Sequence, residues 1–173
     1  PSPRGLTKDS KMVLMAAAHV LPMMGKRFPE GVIIGERGAL GSLSRPSALN
    51  DWFTAAYEKT YNARPESASA YRIVQSILGL KLAAEKASAA KGGAKPSSED
   101  LAAAMKNLEW DTPSGKIKMA LGDGHQAIQD AAVGATKCDA RKKRVTSHDG
   151  PYYPLGSINP PVGGRDVPRV QLG

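Results

Sequence analysis

Cysteine occurs once in the 173 residues, at position 138. The chain therefore holds no internal disulfide and no metal site made of cysteines alone. Aromatic residues make up only 5% of it, and none is interleaved with its one dense basic cluster, Lys137, Arg141, Lys142, Lys143 and Arg144. That excludes the stacking platform on which single-strand binders lay bases. No apolar run approaches the ~20 residues needed to span a bilayer. His19, His125 and His148 lie far apart with no i, i+4 pair, so no metal-ligand spacing is present. A Gly-x-Ser-x-Gly elbow is missing, and Cys138 stands among charges without a nearby histidine, which leaves no activated nucleophile. The opening Pro-Ser-Pro has neither a methionine nor a secretory signal. The expectation is a processed product or a piece of something longer, which makes the lack of a leader uninformative.

What is present fits a single domain with a real core: 41% of the residues are hydrophobic. A formal charge of +8 favours an anionic partner, but the charge is scattered outside that one cluster. Two short apolar runs, KMVLMAAA (11–18) and EGVIIGE (30–36), read as strands buried on both faces of a parallel sheet. Between them HVLPMMGKRF reads as a short helix or turn whose methionines fill the core. The Gly- and Ser-rich segment 38–50 is a loop, and Ser47 or Asn50 caps a helix with Phe53, Ala56, Tyr57 and Tyr61 on one face. That helix stops before Pro65.

Residues 67–89 form the longest periodic segment, with Ala70, Ile73, Ile77 and Leu80 on one stripe and Tyr71, Val74 and Leu78 beside it. Two adjacent stripes predict a helix buried over much of its girth. KGGAKP ends it, and Ser97 with Asp100 reads as a capping box for a third helix bearing Leu101, Ala104, Met105 and Leu108. Residues 116–121 alternate as a strand, and 131–137 and 144–146 are further short strands. From Gly150 the Gly- and Pro-rich tail reads as an extended arm. The organisation is α/β in three parts: 1–137, a basic region 138–149, and the tail 150–173.

Two loops invite chemistry. Asp123 and His125 in GDGH share a turn, either as an acid/base couple or as an Asx-type turn that ties backbone together. GERGALG follows a strand but lacks the glycine spacing of a phosphate loop. It reads as a loop at the carboxyl end of a strand, the edge where open α/β sheets bind ligands.

Several stretches taken together resemble the C-terminal part of the periplasmic solute-binding proteins of ABC importers, in the branched-chain amino acid and amide class. They are FPEGVIIG, then NDWFTAAYEKTYNARPESASAYRIVQSILGLKLAAEKA, then SSEDLAAAMKNLEWDTPSGKIKMALGDGHQAI. The resemblance implies a partial type I periplasmic-binding-protein fold, three-layer α/β lobes linked by crossover hinge strands, with the N-terminal lobe missing. It also implies capture of a small polar solute between lobes, hinge closure and delivery to a membrane permease in the bacterial periplasm. No enzyme activity, cofactor, metal or nucleic-acid partner is implied, and the missing lobe becomes a partner. A ligand-sensing regulatory module of the same fold and a basic nucleic-acid-binding fragment are the alternatives.

By the resemblance, Tyr71 packs on or hydrogen-bonds to the solute; the alternative is core packing. Met15, Ala18, Glu36 and Arg37 belong at the same cleft edge, where Arg37 would clamp a carboxylate and Glu36 an amine, unless both are solvated loop charges. Asp123, His125 and Gln126 would be a structural turn near the hinge. Arg72 departs from the family, which usually has a small or acidic residue there.

Overall fold

The computed structural model describes residues 10–15, 17–121, 123–139, 144–148 and 152–154. In chain order the elements are β1 (Val13–Met15), α1 (Leu21–Met24), β2 (Ile33–Arg37), α2 (Ala48–Tyr61), α3 (Ala68–Ala90), α4 (Ser98–Met105), β3 (Glu109–Thr112), β4 (Gly115–Leu121), β5 (Gln126–Gln129), β6 (Ala131–Asp139), β7 (Arg144–His148) and β8 (Tyr152–Tyr153). They make two sheets. One runs β1-β2-β6-β7, with β8 also on β6; the other is the antiparallel meander β3-β4-β5.

β1 and β2 are parallel, as the apolar runs suggest, with Val13 opposite Ile33 and Met15 opposite Gly35. Only β2 is buried as expected. β1 is an edge strand, and Val13 and Leu14 are exposed. β6 runs antiparallel to β2 from Ala131 opposite Arg37 to Ala135 opposite Ile33. It continues to Asp139 and pairs with β7, so one sheet crosses the boundary drawn at residue 137. Part of the tail is also a strand: Tyr152 and Tyr153 pair with Ala132 and Ala131. The rest of the tail and residues 140–143 of the basic cluster lie outside the described residues.

The segment after β1 is a 3-10 turn (Ala18–Val20), α1 and a second 3-10 turn (Gly25–Arg27). Leu21 is buried, but Met23 and Met24 are exposed. Pro22 near the helix start and Gly25 at its end keep α1 to one turn, which buries Leu21 and leaves both methionines outside.

Ser47 caps α2, its hydroxyl accepting from the Asn50 amide at 3.1 Å. Asn62 ends α2 in the left-handed region, φ 52°, a conformation Asn tolerates well. The 23-residue α3 is the spine of the molecule. Its buried face is Tyr71, Gln75, Gly79, Ala83 and Ala87, spaced by four. Ile73, Ile77 and Leu80, expected inside, are 60%, 59% and 52% exposed. Of the second stripe only Tyr71 belongs to the buried face, which runs on through Gln75, Gly79, Ala83 and Ala87, residues that hydrophobic periodicity does not mark.

Two cores result. Ala17, Leu21, Phe28, Val32, Ile34, Leu40, Phe53 and Tyr71 surround the start of α3. Ala83, Ala87, Ala104, Leu108 and Met119 surround its end, with Trp110 packed against them. The capping box of α4 forms in full: the Ser97 amide donates to Asp100 Oδ2 at 2.7 Å and the Asp100 amide to Ser97 Oγ at 3.2 Å.

Candidate functional site

Because β1 and β2 are parallel neighbours, their carboxyl ends share one edge, and the turn carrying His19 and the loop from Gly38 both leave from it. In open α/β sheets this is the edge that receives ligands. Met15 ends β1 and Ala18 opens the following turn, so both stand on it by backbone position. Glu36 and Arg37 end β2.

Glu36 is 3% exposed. Its Oε2 lies 3.5 Å from Arg72 Nη2 on α3. Its Oε1 is buried without a hydrogen-bond partner among the described residues. Burial pushes the Glu36 carboxyl above its usual value, and the positive charges of Arg72 and then His19 oppose that rise without cancelling it. Glu36 is therefore a desolvated acid with one oxygen held, and solvated loop charge does not describe it. Arg37 is exposed, and its Nη2 donates to the Ala127 carbonyl on β5 at 3.2 Å.

Arg37 and Arg72 also line one cavity of about 480 Å³, whose apolar wall includes Trp110, Ile117, Met119 and Ala127. The wall is built by a glycine. A Cβ on Gly79 would lie 2.6 Å from Trp110 Cζ2, so only glycine lets the indole lie against α3. The indole N–H donates to the Gln75 carbonyl at 3.1 Å, and the Gln75 amide in turn bonds the Ser114 hydroxyl.

Tyr71 stands elsewhere. It is 1% exposed, its hydroxyl donates to Asn50 Oδ1 at 3.2 Å, and its ring meets Phe53 edge-on at 4.9 Å. Burial is the main cause that pushes its phenol above the ordinary value. Of the two expectations for Tyr71, core packing is the one that describes it in this structure.

Asp123, Gly124 and His125 form a turn between β4 and β5. Asp123 adopts φ 56° and Gly124 φ 85°, and the Gly124 carbonyl accepts from the Asn107 amide at 3.2 Å. His125 and Gln126 are exposed. The chain changes sheet at Asp130, between β5 and β6, where the Asp130 carbonyl accepts from the Gly38 amide at 2.7 Å. The turn lies at the other end of β5 from that crossing. No group of three or more His, Cys, Asp or Glu that suits a metal occurs among the described residues.

Gln75 and Trp110 carry no sequence pattern that marks them, and Arg72 stands out only as a departure from the family. One signal was available: an isolated glycine inside a long helix marks a close approach, and Gly79 is where the indole rests.

A family model described as periplasmic binding protein matches residues 4–143. The chain belongs to the periplasmic binding protein family. Among solved structures of this fold, a solute-binding protein of an ABC transporter from Rhodopseudomonas palustris BisB5, in complex with 3,4-dihydroxybenzoic acid, has TM-score 0.66 at 23% identity; 88% of this chain aligns with 39% of that one. One from R. palustris HaA2, in complex with p-hydroxybenzoic acid, gives 0.67 at 16%, again 88% on 39%. A leucine-binding protein from Thermotoga maritima gives 0.60 at 16%, with 85% on 39%. No curated protein matches. The fold is α/β of the type I periplasmic binding protein kind, and this chain spans 39% of the length of each of these relatives.

Proposed function

We propose that this chain is the solute-binding portion of an ABC importer's periplasmic binding protein, and that it is a binder rather than an enzyme. It captures a small polar solute, an amino acid, an amide or a small carboxylate, on the shared edge of β1 and β2. It hands that solute to a membrane permease from the periplasmic side. The observation that carries this reading is the edge itself: parallel strand ends, with the buried Glu36 and with Arg37 at the end of one strand. A buried carboxylate with an unsatisfied oxygen costs stability, a cost that function explains better than folding does. The solute-binding proteins of known structure that share the fold add support. Capture and closure are then one equilibrium, since a solute that touches both sides of a cleft favours the closed form by its extra contacts.

A thermal-shift screen of amino acids, amides and small carboxylates tests it. One solute class should raise the melting temperature in proportion to the logarithm of its concentration, reaching about 2.7 kcal/mol at a hundredfold excess over Kd. Failure of every class at millimolar solute removes the proposal.

A further inference from the structure

Glu36 and Arg72 are unequal partners. The Glu36 side chain is 2% exposed and that of Arg72 58%, with 3.5 Å between Oε2 and Nη2. We infer that the pair is a proton-operated latch between β2 and α3: ionised Glu36 holds the Arg72 guanidinium at the strand end, and protonation of Glu36 releases it and leaves its positive charge unopposed on the cavity wall. The latch belongs to the solute-free protein, and only its bearing on capture rests on the reading above.

Arg72 stands largely in water whether it is paired or not, so letting it go costs little. Glu36 has no such alternative. Its Oε1 lacks a partner among the described residues, and its Oε2 meets a single guanidinium nitrogen at a distance long for a charge-assisted bond. The ionised form is therefore buried with most of its hydration unreplaced, a cost that the neutral carboxyl does not carry. Burial accordingly raises the Glu36 value.

The elements packed around Glu36 bring few charges to it. Arg72 comes from α3, and His19, from the turn after β1, acts in the same sense and less strongly. β6 sets Ala132 opposite Glu36. Arg37, next along β2, is exposed and donates to the Ala127 carbonyl. Because Arg72 lines the cavity of about 480 Å³ together with Trp110, the latch sets the charge of that wall: the pair is neutral with Glu36 ionised and positive with Glu36 protonated. Glu36 binds its proton more tightly in the folded chain than in the unfolded one, so its contribution to stability is fully present below about pH 4.3, the unfolded value, and is lost as pH rises through the folded midpoint.

Carbon-detected NMR of the Glu36 carboxyl, assigned with Glu36→Gln, follows the latch in the solute-free chain. The midpoint should lie above the ordinary glutamate value of about 4.3, the Arg72 Nε–H signal should move with that same midpoint, and Glu36→Gln should abolish the movement. Arg72→Gln, at an exposed helix position, should send the midpoint further up, because it takes away the larger of the two opposing influences. In thermal melting, Glu36→Gln should gain on the parent as pH rises through the midpoint. A Glu36 midpoint at or below the ordinary value overturns the inference, as does an Arg72 signal that stays in place while Glu36 titrates, an unchanged midpoint in Arg72→Gln, or a melting difference that does not vary with pH. Should Glu36→Gln fail to fold, the titrations of the parent and of Arg72→Gln decide. No solute enters these measurements, so a failed latch leaves the solute-binding role standing and a failed solute screen leaves the latch.

Discussion

The two ends of α3 are buried by opposite means. At its start Tyr71 packs into a core of large side chains, Phe53, Phe28, Leu21 and Ile34. From its middle to its end Gly79, Ala83 and Ala87 face the meander and α4, and backbone and indole come close at Gly79. Stability at the start comes from apolar area removed from water. At the end it comes from close contact between small groups, where each pair gains little and fit decides the sum. One core should be broken by removing atoms and the other by adding them.

The largest effect expected is therefore Phe53→Ala. Phe53 is buried and meets both Tyr57 and Tyr71 edge-on, so truncation should cost about 3–5 kcal/mol, read by denaturant unfolding. A loss below about 1 kcal/mol would mean that the first core is loosely packed. Gly79→Ala is the complementary change. Alanine favours a helix over glycine by about 1 kcal/mol. The new methyl would meet Trp110 at 2.6 Å, and overpacking costs about 1–3 kcal/mol. Displacing the indole from the Gln75 carbonyl costs about 1 kcal/mol more. The net expectation is a loss of about 2 kcal/mol, with a change in Trp110 emission; a variant as stable as the parent contradicts the close-fit account.

Legibility in the sequence followed the same division. Caps and breaks were readable because they are local: Ser47, Ser97 with Asp100, and the stop after Tyr61 all act within a few residues. The alternation of β4 was readable for the same reason, and its burial does alternate at Ile117 and Met119. Which stripe of α3 faces inward was not readable. Ile73, Ile77 and Leu80 carry the stronger hydrophobic signal, yet burial went to the stripe that Trp110 and α4 approach, and such a choice is made by tertiary contacts. β3 has no signature of its own for a related reason, since EWDT has little apolar content and owes its pairing to β4 beside it. At the site, Glu36 and Arg37 read as the start of the loop after β2, but they are the last two residues of that strand. Arg72, the residue that joins them to a cavity, sits 36 positions from Glu36 and has no local signature.

The smallest of the three effects concerns α4, which packs its alanine-rich face on the close-fit end of α3. Eight residues are too few for a helix to hold itself by propensity, so its N-terminal cap matters more than a cap on α3 would. Ser97→Ala should cost about 1 kcal/mol. The Asp100 carboxyl reports the same contact through pH. Its hydrogen bond with Lys91 first, then the bonds from Ser97, hold it down to about 2, against about 3.9 for an unfolded aspartate. A depressed acid contributes stability that is fully present above the unfolded value and is lost as pH falls through the folded one. The melting temperature should therefore fall between about pH 4 and pH 2, and Asp100→Asn should flatten that part of the curve while leaving the part above pH 5 parallel to the parent. Phe53 variants, which disturb only the other core, should keep the acid slope. If Asp100→Asn leaves the acid limb unchanged, the cap does not hold α4 in place, and the close-fit core needs no help from the end of its shortest helix.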